Sequence, residues 1–135
     1  MIELLDRLRE ADPETYKRIA RGIPLQPRGQ YLAFDGGKIT ACQYHEPYIP
    51  FDNLLPEAAC AWLQAVLQDA ISNRGWIWEV SLLANKKDHC ACISEVAPGY
   101  DGDHWTEEHE YMITEQIAGS PAEALLRAYA EAISK

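Results

Sequence analysis

Cys90 and Cys92 stand two apart, with His104 and His109 a short way downstream, and these four residue types could donate to one metal ion. On an extended strand, residues two apart share a face, so both thiols would point one way and His89 the other. Thiolates and imidazoles are donors that zinc favours. The spacing, however, has neither a paired C-x-x-C nor two histidines one helical turn apart. Free cysteine is also a common small buried apolar residue, and that role is favoured for Cys90 and Cys92. No cofactor is expected, and Cys90, Cys92, His104 and His109 stand only as metal candidates.

A second cluster follows in Tyr100, Asp101, Gly102, Asp103, Trp105, Glu107 and Glu108. Its carboxylates are hard oxygen ligands of the kind calcium or magnesium takes, but Trp105 occupies a position where a calcium loop would offer another oxygen. A carboxylate beside His104 or His109 could orient the imidazole for acid–base work, which makes a small metal-dependent hydrolase built on the His104–His109 loop the alternative reading. No nucleophile elbow, phosphate loop, dinucleotide fingerprint or zinc-protease helix accompanies these residues. No catalytic residue is assigned, and a non-enzymatic role is expected.

Recognition uses more of the pattern. Acids interleaved with aromatics can meet a basic surface, the charges raising the encounter rate and the rings supplying buried contact. The expected contact residues are Tyr100, Asp101, Asp103, Trp105, Glu107 and Glu108, with Tyr111 nearby, and the expected partner is a basic protein surface. Occupation of a nucleic-acid groove on a host defence protein, by mimicry, is a further form of the same idea.

Composition agrees with that choice. The chain has 135 residues, 12 Lys and Arg against 21 Asp and Glu, a net charge of −9 and 47% apolar residues. That balance is globular rather than disordered. Six basic and five acidic side chains fall in residues 1–30, six and sixteen in the remainder, and Glu95 to Glu115 contains no Lys or Arg. A surface this acidic repels phosphate, so direct nucleic-acid binding is not expected. No apolar run is long enough to span a bilayer, and the opening residues have no secretion-signal pattern, which together predict a cytoplasmic protein with free thiols.

The elements that must position these residues can be read from periodicity and punctuation. Ile2 to Glu10 has helical apolar spacing, and Asp12-Pro13-Glu14 is a capping signal for a second short helix ending at Gly22. Pro24, Pro27 and Gly29 mark a linker, so residues 1–29 are expected as a helical segment and 30–135 as one α+β domain. Gln30 to Phe34 and Lys38 to Tyr44 predict a hairpin around Asp35-Gly36-Gly37, and His45 to Phe51 an extended connection. Pro56 to Arg74 is the strongest helix, with Trp62, Leu63, Val66, Leu67, Ala70 and Ile71 on its apolar stripe. Alternation then predicts strands over Trp76 to Ala84, His89 to Val96 and Glu110 to Ile117, with Pro98 and Gly99 closing the second strand and Tyr100 to His109 a polar loop. Ser120-Pro121-Ala122-Glu123 opens the last helix with a capping box. Trp62, Trp76 and Trp78 belong to apolar faces and are expected in the core.

The fold predicted is α+β, an antiparallel three-stranded meander packed with two helices, preceded by helices and a hairpin. From Phe51 onward the chain resembles the small ABA-sandwich domains of bacteriophage and prophage proteins. The likeness rests on Ala58-Ala59-Cys60-Ala61-Trp62, Trp76-Ile77-Trp78-Glu79-Val80 and Ala118-Gly119-Ser120-Pro121-Ala122-Glu123-Ala124-Leu125-Leu126-Arg127-Ala128. It implies a phage or prophage accessory protein and carries over no catalytic residue.

Overall fold

In a computed structural model, residues 1–24, 30–35, 38–43, 48–100 and 105–135 are described, with side chains for 1–24, 48–99 and 109–135. Helix α1 (Ile2–Ala11) turns at Asp12 into α2 (Pro13–Arg21). Asp12 accepts hydrogen bonds from the Thr15 amide and hydroxyl, which satisfies a free amide at the start of α2, while Pro13 occupies a position that needs no amide donor. Gly22 ends α2 at φ +89°, and its α-carbon lies so close to the Ile49 carbonyl that an added Cβ would sit 1.7 Å from that oxygen. Only glycine fits this crossing.

The predicted linker and extended connection meet here. β1 (Ile23–Pro24) pairs antiparallel with β4 (Tyr48–Ile49). The hairpin is β2 (Gln30–Asp35) and β3 (Lys38–Gln43), in register from Gln30↔Gln43 to Asp35↔Lys38; its expected Gly36-Gly37 turn lies outside the described residues. A 3-10 turn, Phe51–Asn53, leads into α3 (Pro56–Asn73), and Gly75 follows with a positive φ of 76°.

Strands β5 (Trp76–Leu82), β6 (His89–Tyr100) and β7 (Trp105–Ala118) form one antiparallel sheet in the order β5-β6-β7, and α4 (Pro121–Ile133) closes the chain. The α+β meander is as predicted, but two strands are longer than expected. β6 continues through Pro98 and Gly99, and β7 starts at Trp105 inside the predicted loop. The reason is positional: β5 pairs with β6 only as far as Trp76↔Glu95, so beyond Glu95 one edge of β6 is released from β5. A proline there costs no ladder bond on that side, and the register shift between Ala97 and Gly99 absorbs it. The result is a two-stranded ribbon extending past the three-stranded sheet.

The core lies between one sheet face and the helices. Ala91 and Ile93 of β6 are fully buried against Leu63, Val66, Leu67 and Ile71 of α3 and Leu125, Leu126 and Tyr129 of α4. Trp62, Trp76, Trp78 and Val80 pack around this cluster, as predicted for the tryptophans. α4 is buried on more than a stripe, because Ala124, Ala128, Ala130 and Ala132 lack the bulk that would hold neighbours away. Ser120 accepts from the Glu123 amide, as the capping motif predicts. Leu8 of α1 and Ile19 of α2, 0% and 1% exposed, belong to the same cluster, so residues 1–24 share the core of the body. Asp12, the Tyr129 hydroxyl and Arg74 join the N-terminal helices to α4 and the end of α3.

Candidate functional site

Directly opposed residues in antiparallel strands share a face, so the register defines what the sheet presents away from its helices. Three rows result: Ile77, Ser94 and Met112; Glu79, Cys92 and Glu115; Ser81, Cys90 and Ile117. Ile77, Met112 and Ile117 are 42%, 61% and 50% exposed. These apolar groups frame a polar centre in which Cys90 and Cys92 have their sulfurs 3.9 Å apart and the Cys90 thiol donates to Glu115 Oε1 at 3.4 Å. All three donor atoms lie within 4.8 Å of one another.

Both cysteines therefore occupy one face, with His89 on the other, as strand alternation requires. Cys90 is buried but sits apart from the core cluster, on the opposite side of the sheet from Ala91 and Ile93. The expected role of a core residue thus describes its burial and not its place. Burial pushes the Cys90 thiol up to about 12, with the adjacent Glu115 and Cys92 acting in the same direction. Cys92 is also raised, by burial and by the charges of Glu115, Glu79 and Glu110, against an opposing hydrogen bond from Cys90. Besides burial, the charges that act on the two thiols are those of Glu79, Glu110 and Glu115.

The histidines are not part of this cluster. His109 pairs with Ala97, five residues along β6 from Cys92 or roughly 17 Å at the rise of a strand, and its ring lies 4.5 Å from that of Tyr111. His89 Nδ1 is buried without a hydrogen-bond partner among the described residues, on the helix side of the sheet. His104, Asp101 and Asp103 lie outside the described residues. Of the predicted contact residues that are described, Tyr100 and Trp105 pair in register at the end of the ribbon, and Glu107 and Glu108 are strand positions of β7.

Glu115 is the residue that sequence reasoning missed. The available signal was the hairpin register, since only the pairing of Cys92 with Glu115 shows that the carboxylate faces the thiols. The groove of about 800 Å³ between α2 and α3, lined in part by Lys17, Arg18, Arg21 and Asn73, is elsewhere, and Arg18 there is paired with Asp69. No helix among the described residues is long and apolar enough to cross a membrane. No family model, curated protein or solved structure matches the chain.

Proposed function

We propose that this is a non-enzymatic binding protein of the phage or prophage accessory type, acting in the cytoplasm, whose acidic sheet and ribbon receive a basic protein surface. The observation that carries the reading is the sheet's charge of one sign: six Glu and no Lys or Arg in β5, β6 and β7, with Ile77, Val96, Tyr111, Met112 and Ile117 of the same strands exposed. Apolar contact of this kind supplies affinity, and the uniform charge selects a partner of opposite sign. Glu107 and Glu108 belong to β7, and Asp101 and Asp103 precede them in the sequence.

The test compares the chain with a variant carrying Asp101→Asn, Asp103→Asn, Glu107→Gln and Glu108→Gln in capture from host lysate, followed by affinity measurement on the purified partner. The expected partner has a basic surface, binds more weakly as salt rises, and loses at least about tenfold in affinity to the variant, the effect of removing about 1.4 kcal/mol. A partner bound equally well by the variant and at all salt concentrations overturns the reading.

A further inference from the structure

The centre of the outer sheet face has the dimensions of a metal site. Zinc bonds of about 2.3 Å to sulfur and about 2.0 Å to oxygen in a tetrahedron place two sulfurs about 3.8 Å apart and a sulfur and an oxygen about 3.5 Å apart. The corresponding separations are 3.9 Å between Cys90 and Cys92 and 3.4 Å between Cys90 and Glu115. We infer that Cys90, Cys92 and Glu115 bind one zinc ion, with water completing the tetrahedron on the solvent side.

Three further observations support this site. Cys90 and Cys92 project from the middle strand of the sheet, and Cys92 is directly opposite Glu115 on β7, so the ladder positions all three donors without help from a loop. Among the described residues no ion pair offsets the local charge: Glu79 completes the row on β5, and none of the three strands supplies a Lys or Arg. A divalent cation is the electrostatic complement of such a face. Finally, Cys92 is only half-buried and Glu115 is exposed, which leaves a path for the ion from solvent. Binding displaces the thiol protons to solvent and replaces the Cys90–Glu115 hydrogen bond by coordination, tying β6 to β7 beside the register shift at Ile93 and Ser94.

The experiment uses the full chain, reduced and stripped of metal, without any partner, so its outcome is independent of the partner-binding reading. Zinc is titrated in competition with a chromogenic chelator, and cobalt(II) is added separately as a spectroscopic probe. The expected results are one equivalent of zinc, a cobalt spectrum with tetrahedral visible bands and thiolate charge transfer, and loss of both in Cys90→Ser and in Cys92→Ser. Glu115→Gln should weaken zinc by at least the about tenfold that disturbing even an outer partner costs a metal site. Circular dichroism identifies any variant that fails to fold. Cys92→Ser, at the more exposed sulfur, and Glu115→Gln keep the test decisive if Cys90→Ser does not fold. Absence of stoichiometric zinc binding by the reduced chain, or binding unchanged in folded Cys92→Ser and Glu115→Gln, overturns the site.

Discussion

Asp12 caps α2, accepts the Tyr129 hydroxyl and faces Arg74 at 3.8 Å, so one carboxylate joins three helices. Burial opposes its ionisation, but the hydrogen bonds from Thr15 and Tyr129 and the Arg74 charge outweigh burial and hold it below its ordinary value of 3.8. A carboxyl lowered on folding stabilises the folded state fully above the ordinary value and loses that contribution as pH falls through the folded one. Asp12→Asn should therefore cost about 1–3 kcal/mol at pH 7 by leaving the Tyr129 and Thr15 donors poorly matched, and the deficit should shrink below pH 3.8. Urea denaturation at neutral and acid pH measures both; an equal deficit at the two would show that the charge is not responsible. The cap was legible in Asp12-Pro13-Glu14 because it is local. Its bond to Tyr129 was not, since 117 residues separate the partners.

Where an element ends depends on what lies beside it. Gly22, Gly75 and the Ser120 cap end or open helices as their residue types predict, because positive φ and amide capping are local requirements. Pro98-Gly99 misled for the complementary reason: a proline stops a strand only where its missing donor is needed, and β5 has already ended. Gly22 provides the sharper test. Gly22→Ala should destabilise by about 1–3 kcal/mol through strain at positive φ and the clash with the Ile49 carbonyl. Gly119→Ala, with open space around the added Cβ, should stay within about 0.5 kcal/mol of the parent. Comparable losses in the two variants, measured by thermal or urea unfolding, would remove the close approach of α2 to β4 as the explanation.

At the scale of the molecule, α1 and α2 cover the body rather than trail from it. Leu8 and Ile19 are in the cluster that also contains Leu67, Leu125 and Tyr129, and Trp62 Nε1 donates to the Ile19 carbonyl at 3.2 Å. Glu131 of α4 faces Arg7 of α1 at 3.7 Å, while Arg127 pairs with Glu123 within α4. Leu8→Ala should cost about 2–5 kcal/mol, the range for a buried leucine whose cavity cannot fully collapse. Tryptophan fluorescence and far-ultraviolet dichroism should then report one coincident, shifted unfolding transition. Two separated transitions would instead mark the N-terminal helices as an independent unit.

Sequence by itself determined the helices, their caps, the alternation of β5 and the α+β order, because each follows from local backbone preference or from a period that burial must respect. It also determined that Cys90 and Cys92 share a face and that the second half of the chain is acidic. Tertiary structure decided the strand register, and with it the meeting of Cys92 and Glu115, because a pairing between distant segments is selected by which faces the core can bury. It likewise decided that the N-terminal helices enter that core and that β6 and β7 outrun β5. These are competitions among long-range contacts, and no window of neighbouring residues contains their outcome.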